Sequence, residues 1–402
     1  MIAVEAVFQS WKDSPDLAKS RPWPYRPQPR PDELLSSWFL RVAHGLELKP
    51  YTLAHLTWRS TPPILTRDID NFADPRVVGA MAAKTDVSTA QAWATTLAAY
   101  DGLLVERYAS GGRNSWVLQL GVRHRARNLA GLQYCPACLR ESGYLRRAWR
   151  LGFVTCCVAH SCCLLDRCSA CNATLEPHRA ASLHQCSRCG ADLREAEARA
   201  AIPRVMEMQT RSLSILARGW GRLGSSTFGW SHLYFESLRI IAKVVAFGPR
   251  SEDLRRVIAR RWGGDPSPYP PTLGRSLEHL GVLDRHRLID LVAALVKQWP
   301  NRLIVACQEA RVWRSWFLRD EPNPPHVVAT IVNEHLSLGS YKPSVAEISS
   351  ALAYLRNTDG PVTMSKLRDL VGDCQAIPTL FKTDAVERLH AFAEELLREG
   401  FD

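Results

Sequence analysis

The sequence lacks the features that would place the protein in a membrane or in a secretory pathway. No eighteen-residue window is uninterruptedly apolar, and the nearest piece, residues 288–296, contains a charge and is too short to span a bilayer. The first ten residues have no basic region, and Glu5 interrupts their apolar stretch, so they do not form a signal peptide. We therefore expect a soluble, cytoplasmic protein that does not contact a membrane.

Motifs of several catalytic classes are also missing. The chain has no Gly-Lys-Ser/Thr phosphate loop, no His-Glu-x-x-His and no His-x-Glu ahead of a cysteine pair, as P-loop nucleotide hydrolases, metalloproteases and zinc deaminases require. Residues 219–224 match a dinucleotide-binding fingerprint, but no predicted strand precedes them and no predicted helix follows. We interpret them as a flexible turn and expect no enzyme activity.

What the sequence does have is length, basic charge and cysteine. A chain of 402 residues with 46% hydrophobic residues is expected to fold into two or three domains. The 51 Lys and Arg against 40 Asp and Glu give a net charge of +11, which favours a polyanionic partner, although a GC-rich genome enriches arginine equally. In a reducing compartment, the twelve cysteines are expected to be metal ligands or buried thiols.

The pattern along the chain predicts a mainly α fold with small β zinc-ribbon segments, in four parts. An extended proline-rich arm at 1–30 is followed by an N-terminal helical, helix-turn-helix-like domain at 31–118. Ten of the twelve cysteines lie in a tandem zinc-finger domain at 119–198. Residues 199–402 form a C-terminal helical domain, with its clearest helices expected at 233–246, 252–262, 285–298 and 384–398.

The first helix is expected directly after the arm. Asp32 and Glu33 are placed favourably for its first turn, and Trp38 and Phe39 belong to an apolar face that would lie in the core. The opposite face carries Ser37, Arg41 and His44. Weaker helical patterns follow at 77–84 and 89–100.

The cysteine-rich part contains four ligand pairs, each with a two-residue gap. The gap lets both side chains of a pair turn onto one metal ion, and the 18 and 14 residues between pairs match short hairpin excursions of zinc ribbons. Both sites have four protein ligands and no open position, so we expect two structural Zn²⁺ ions per chain, with buried free thiols as the alternative. The predicted ligands are Cys135, Cys138, Cys157, His160, Cys168, Cys171, Cys186 and Cys189.

The grouping of these ligands is open between two patterns. Sequential grouping gives a Cys₃His site from the first four and a Cys₄ site from the last four, whereas an interleaved cross-brace exchanges the middle pairs. We favour the sequential order. Cys156, Cys162 and Cys163 are surplus, and the last two compete with His160 as fourth ligand of the first site.

Arginine-rich stretches flank the first site. They contain Arg123, His124, Arg125, Arg127, Arg140, Arg146, Arg147 and Arg150. Such side chains suit contacts to phosphate, which position a protein on DNA without reading its sequence, and a solvated or partner-facing basic surface is the alternative. We select Arg123, Arg125, Arg127, Arg146 and Arg147 as candidate DNA contacts.

A helix-turn-helix candidate lies at 344–372. Ser344 and Glu347 form a capping box for a first helix, and a second short helix is expected at 364–371. The inward side of the second helix would carry Met364, Leu367, Leu370 and Val371, and its outward side Ser365, Lys366, Arg368 and Asp369. Ser365, Lys366 and Arg368 are candidate DNA contacts, with an ordinary helical hairpin as the alternative.

Two blocks of residues resemble the TniQ/TnsD family of transposition target-selection proteins. The first is residues 31–41, Pro-Asp-Glu-Leu-Leu-Ser-Ser-Trp-Phe-Leu-Arg, and the second runs from Tyr134 through the first three ligand pairs. Together they cover about residues 20–195 in the family's order. The chain departs from the family at Val158, Ser161 and Asn172, where proline, glycine and glycine are usual.

The resemblance implies an accessory protein, not an enzyme, that recognises target DNA or a target-bound complex. It implies recruitment of an AAA+ ATPase regulator of the TniB/TnsC type and, through it, the transposase, with helix-turn-helix segments flanking tandem zinc fingers. We accordingly expect duplex DNA as a partner and association with the nucleoid, and a homodimer is compatible with the sequence. The alternative is a stand-alone zinc-ribbon and helix-turn-helix transcription regulator that binds a fixed operator without partners.

Overall fold

The contacts within the protein divide the chain into two units, Met1–His335 and Leu336–Asp402. The structure, a computed structural model, describes residues 21–58, 65–123, 126–318, 321, 323–337, 343–357, 362–371, 381–383, 385–386, 388 and 390–391. Strands in these ranges occur only as three two-stranded antiparallel hairpins, so the predicted mainly α fold with small β segments is confirmed. The boundaries predicted after residues 118 and 198 fall inside the first unit and stay predictions. No helix in the described ranges is long and apolar enough to cross a membrane.

The first unit begins with short helices. They are α1 (Leu35–Gly45), α2 (Pro50–Trp58), α3 (Ile69–Phe72), α4 (Pro75–Thr85) and α5 (Thr89–Trp93), with a 3₁₀ turn at Leu97–Tyr100. The helix predicted at 77–84 is confirmed as α4, whereas the pattern at 89–100 is interrupted. There, the hydroxyls of Thr95 and Thr96 donate to the carbonyl oxygens of Ala92 and Trp93, and these bonds compete with continuation of the helix.

Helix α1 begins later than its acidic pair predicts. Asp32 has a left-handed φ of 57°, and Glu33 forms a β-bridge with Arg146. The helix starts at Leu35, so the prediction that the two acidic residues occupy its first turn is wrong. Their local contacts with the cysteine-rich segment, residues 119–198, override the favourable charge at the helix start.

The faces of helix α1 agree only in part with the sequence pattern. Trp38 and Phe39 are buried in the core, as predicted. Ser37 is fully buried as well, although the pattern places it on the outward face. Its hydroxyl donates to Glu33 and accepts the N–H of Leu145, so a buried polar group is satisfied on both sides.

The cysteine-rich segment contains little regular structure. Its strands are β1 (Val122–Arg123) with β2 (Ala126–Arg127), and β3 (Cys156–Cys157) with β4 (Cys162–Cys163). Helix α6 (Pro136–Ser142) and 3₁₀ turns at Arg147–Arg150, Pro177–Arg179 and Leu193–Glu195 complete it. Elements this short need cross-links from side chains or metal ions to keep their arrangement.

Longer helices make up the rest of the first unit. They are α7 (Pro203–Arg218), α8 (Ser231–Phe247), α9 (Ser251–Trp262), α10 (Val282–Val296), α11 (Asn301–Glu309), α12 (Arg314–Leu318) and α13 (His326–His335), with 3₁₀ turns at Leu273–Arg275 and Leu277–His279. The helices predicted at 233–246, 252–262 and 285–298 correspond to α8, α9 and α10.

A hairpin of β5 (Gly221–Leu223) and β6 (Ser226–Phe228) joins helices α7 and α8. Gly219 ends helix α7 with a φ of 77°, a left-handed conformation that favours glycine. The interpretation of residues 219–224 as a flexible turn is therefore wrong. They form a helix cap followed by a paired strand, and a helix rather than a strand precedes them.

Helix α10 is bonded to the cysteine-rich segment through a buried arginine. Arg285 is 2% exposed and donates to the carbonyl oxygens of Leu280 and Gly152 and to Gln133 Oε1. Burial lowers the pKa of this guanidinium to about 10, but all three bonds are to polar oxygens that favour its charged form. The cysteine-rich segment and the helices that follow it thus belong to one unit.

The second unit contains helices α14 (Val345–Arg356) and α15 (Met364–Val371). The predicted capping box is present, since Ser344 and Glu347 bond each other's backbone N–H groups. A small core joins the helices through Ile348, Leu352, Leu355 and Leu367. Leu370 is 49% exposed, so its predicted inward position is wrong. Most of the helix predicted at 384–398 lies outside the described residues.

Candidate metal centres

The first cluster joins the start of helix α6 to the β3–β4 hairpin. Cys135 caps the helix, because its Sγ accepts the N–H of Cys138, and Pro136 occupies the first helical position. Cys157 lies on β3, and His160 lies in the turn that follows. Each two-residue gap brings both members of a pair to the same side of a tight turn.

The four ligand atoms have the spacing of a tetrahedral zinc site. Cys138 Sγ lies 3.5 Å from Cys157 Sγ, and His160 Nδ1 lies 3.5, 3.4 and 3.3 Å from the sulfurs of Cys135, Cys138 and Cys157. Zn–S bonds of about 2.3 Å and Zn–N bonds of about 2.0 Å give tetrahedron edges of roughly 3.5 to 3.8 Å. All four atoms lie within 4.8 Å of one another, so they could hold one ion.

His160 is oriented by a carboxylate. Its Nε2 lies 2.9 Å from Glu141 Oε1, while Nδ1 faces the sulfurs. The hydrogen bond with Glu141, followed by that with Cys157, raises the pKa of the imidazole. A carboxylate on the distal nitrogen is the arrangement that fixes the tautomer of a metal-ligating histidine.

The second cluster consists of four sulfurs. Cys168 Sγ lies 3.7 Å from Cys189 Sγ, and Cys171 Sγ lies 3.7 Å from Cys186 Sγ, with all four within 4.8 Å. The structure therefore groups the eight predicted ligands in the sequential order and not as an interleaved cross-brace. Three sulfurs and one imidazole in the first set, and four sulfurs in the second, are donors that zinc prefers.

The two turns of the second cluster close in the same way. Asn172 donates its N–H to the carbonyl oxygen of Cys168, and Gly190 donates to that of Cys186. Asn172 has a φ of 56° and Gly190 a φ of 74°, both left-handed. Asparagine tolerates this region better than most residues, so the turn survives the departure from the glycine usual in the family.

The surplus cysteines lie beside the first cluster but outside its set of four. The hairpin pairs Cys156 with Cys163 and Cys157 with Cys162. The two members of a pair face the same side of the hairpin, and the two pairs face opposite sides. Cys162 Sγ lies 3.8 Å from Cys135 Sγ, at the edge of the cluster. Burial raises the pKa of Cys156 to about 12, which keeps this thiol protonated at neutral pH.

Gln209 is a residue of this region that the sequence did not reveal. Its Oε1 accepts the backbone N–H groups of Thr155 and Cys156 at 2.9 and 3.1 Å, and lies 3.2 Å from Cys156 Sγ. Its Nε2 donates to the carbonyl oxygen of Cys156. A single buried glutamine on α7 therefore fixes strand β3, which carries the neighbouring ligand Cys157.

Arg150 is a buried structural residue, so its expected place among the phosphate-contacting arginines is wrong. Its side chain is 0% exposed, and Nη2 lies 2.5 Å from Asp68 Oδ2. Nη1 lies 3.3 Å from Asp70, whose carboxylate also accepts the N–H and hydroxyl of Ser36. The 3₁₀ turn that ends at this arginine is thereby fixed to helices α1 and α3.

Arg146 and Arg147 are half-buried against aromatic rings. The guanidinium of Arg147 lies 4.5 Å from the centre of Tyr100, and its Nε lies 3.4 Å from Asp32 Oδ1. The guanidinium of Arg146 lies 5.2 Å from the centre of Tyr144. Contact of these two arginines with DNA stays a prediction. In such a contact, the same side chains would bind DNA while keeping these internal partners.

The predicted contacts before the first cluster are spread over the β1–β2 hairpin. Arg123 ends β1, and only its backbone is described; His124 and Arg125 lie outside the described residues. Arg127 is half-buried and donates to the carbonyl oxygen of Leu175. Arg140, in helix α6, donates to the carbonyl oxygen of residue 194.

The predicted contacts in the second unit lie on helix α15. Ser365, Lys366 and Arg368 are exposed, whereas Leu367 between them is buried. This is the outward placement expected from the sequence. All three residues lie on one helix, which belongs to the second unit.

Comparison with known families identifies the N-terminal part of the chain. The model of the TniQ family matches residues 24–164, about a third of the 402 residues. This span contains helix α1 and the whole first cluster and ends before Cys168. No curated protein matches the chain. The chain therefore contains a TniQ domain at residues 24–164, which confirms the resemblance to the TniQ family predicted from its sequence.

Proposed function

We propose that the protein is a non-catalytic accessory protein of DNA transposition. It would recognise target DNA or a target-bound complex and recruit an AAA+ ATPase regulator of the TniB/TnsC type, and through it the transposase. The TniQ domain at residues 24–164 carries this proposal. A net charge of +11 supports a nucleoprotein setting and association with the nucleoid.

Both clusters are proposed to hold structural Zn²⁺. Four protein ligands leave no position for water, so the ions would hold the segment together and not activate a nucleophile. Metal analysis of the purified protein is expected to give two zinc ions per chain. Cys135→Ser with Cys138→Ser and Cys168→Ser with Cys171→Ser should each leave one, and a value near zero in the unaltered protein would contradict the assignment.

Duplex DNA is the proposed partner of helix α15, because it presents Ser365, Lys366 and Arg368 to solvent. Lys366→Ala with Arg368→Ala should weaken duplex binding and reduce its salt dependence, since fewer counterions are released. The matched control is Lys382→Ala with Arg388→Ala, which removes the same charges elsewhere in the second unit. Equal affinity of the two variants would assign α15 to an ordinary helical hairpin.

The partnership with the ATPase is tested by co-purification. The protein is expected to retain an AAA+ ATPase of the TniB/TnsC type and to give a footprint on target DNA with that ATPase. A stand-alone transcription regulator would instead protect a fixed operator alone and retain no ATPase. That result would favour the alternative function.

A further inference from the structure

Two tryptophans at the β5–β6 hairpin face solvent. Trp220 is 45% exposed and Trp230 is 65% exposed, whereas Trp38, Trp116, Trp149 and Trp299 are buried. An exposed indole forgoes the favourable burial of a large apolar surface, so two of them at one hairpin point to a binding surface. Both lie outside the segment that matches the TniQ family.

An arginine flanks one of the two indoles, and an imidazole flanks the other. The guanidinium of Arg218 lies 5.0 Å from the centre of the Trp220 ring. The rings of Trp230 and His232 are stacked, with centres 6.4 Å apart and planes at 26°. Within the described ranges, neither Arg218 nor Arg222 forms a salt bridge with a carboxylate, so their charges are not neutralised by an ion pair there.

The strand geometry places Trp220 and Arg222 on one face of the hairpin. In β5, Gly221 and Leu223 are buried and Arg222 between them is exposed, so alternation puts Trp220 on the same outward face as Arg222. Across the hairpin, a side chain added at Gly229 would meet no atom within 4 Å. The position across the hairpin from Trp220 is therefore unobstructed.

We propose that this strip, defined as Arg218, Trp220, Arg222 and Trp230, binds unpaired nucleotides of single-stranded DNA. Indole faces stack on any base, and uncompensated arginines contact the phosphates between bases. Bases inside a duplex are already stacked on one another and offer no face to an indole. The strip thus fits a strand whose bases are open, such as distorted or separated DNA beside a target.

A protein partner fits the strip less well. Arginine and tryptophan also occur in protein interfaces, but there they surround a desolvated apolar centre. The other large apolar side chains that face solvent, among them Leu56, Val158, Leu283 and Val305, are not part of this hairpin. The strip is therefore cationic and aromatic without an aliphatic centre.

The inference shares with the proposed function only the assignment of DNA as ligand, and one experiment separates the two. A fluorescently labelled twenty-nucleotide oligothymidine and a matched duplex are titrated with the full-length, zinc-loaded protein. Trp220→Ala with Trp230→Ala is expected to weaken oligothymidine binding by at least tenfold, because each stacked base contributes strongly to affinity. Binding of the duplex should change less than twofold.

Two further variants control for folding and for exposed aromatics in general. Trp220→Phe with Trp230→Phe keeps aromatic faces and should retain most of the affinity for oligothymidine. Tyr354→Ala removes another exposed aromatic, in the second unit, and should leave affinity unchanged. Unaltered oligothymidine binding by the double alanine variant, or absence of oligothymidine binding, overturns the inference whether or not duplex binding and ATPase recruitment are found. Loss of ATPase retention without loss of oligothymidine binding assigns the strip to a protein partner and overturns it as well.

Discussion

Glu33 and Arg41 form a bidentate salt bridge, with Arg41 Nε 2.8 Å from Glu33 Oε1 and Nη2 2.7 Å from Oε2. The carboxylate is fully buried and also accepts hydrogen bonds from Ser37 Oγ and from the N–H of Arg30. Ser37 in turn accepts the N–H of Leu145, in the cysteine-rich segment. The acidic, serine and arginine positions of the opening TniQ block thus form one network that ties helix α1 to the first cluster's loop.

Glu33→Gln should lower the free energy of unfolding by about 3 kcal/mol, because it leaves a largely buried guanidinium without its charged partner. The measurement is urea unfolding of the zinc-loaded protein. Glu252→Gln is the matched control, since Glu252 and Arg256 form an exposed pair on α9 that should contribute less than about 0.5 kcal/mol. Similar losses in both variants would show that the buried network adds no stability.

Glu141→Ala should weaken zinc binding at the first cluster by roughly 10- to 100-fold, because the orienting hydrogen bond to His160 is lost. Competition with chelators of graded affinity measures this, with one of the two ions expected to leave earlier than in the unaltered protein. Glu195→Ala, an exposed carboxylate on the Leu193–Glu195 turn, serves as the control. Unchanged release of both ions from Glu141→Ala would contradict an orienting role.

Gln209→Leu should destabilise the first unit by about 2 to 3 kcal/mol, since the N–H groups of Thr155 and Cys156 and one carbonyl oxygen lose their partner while staying buried. Thermal unfolding at saturating zinc is the measurement. Gln298→Leu, a similar change at an exposed glutamine, should have little effect. A stable Gln209→Leu protein would mean that strand β3 is held by the metal alone.

His286 should make the protein less stable in mild acid. Burial lowers the pKa of this imidazole, and its Nε2 accepts the N–H of Ile202 while Nδ1 bonds Thr155 Oγ1. The folded-state pKa lies below the unfolded value of about 6.5, so stability is fully present above that value and falls as the pH drops through it. Unfolding between pH 7 and 5.5 should therefore show a steeper loss than in His286→Gln, and parallel curves would contradict this linkage.

The two clusters of possible metal ligands were largely predictable because their signal is local. The pairs from Cys135 to Cys189 lie close together in sequence, and a two-residue gap has one geometric meaning whatever the fold around it. Buried polar partners were not predictable in the same way. Arg150 bonds Asp68 and Asp70, about eighty residues away, and nothing near it in sequence distinguishes it from a surface arginine.

The helices were predictable in position but less so in the orientation of single residues. Helical periodicity located α8, α9 and α10, because each has a continuous apolar face. The predicted orientations of Ser37 and Leu370 were wrong. A helical pattern cannot reveal that a serine hydroxyl has a buried partner, or that the core beside a short helix is too small to cover a leucine. The exposure of Trp220 and Trp230 depends on which other segments pack against the β5–β6 hairpin. The periodicity of the sequence does not give this information.

The cysteine doublets on both strands of the β3–β4 hairpin create an ambiguity that zinc alone does not resolve. Because adjacent strand residues face opposite sides, a slip of one residue would still offer a sulfur to the metal, with Cys156 replacing Cys157. Gln209 removes the ambiguity, because it forms hydrogen bonds with the backbone and the thiol of Cys156. The side chain of Cys156 therefore faces helix α7, which carries Gln209. The choice between two chemically identical donors is thus made by an amide 53 residues further along the chain that binds no ion itself.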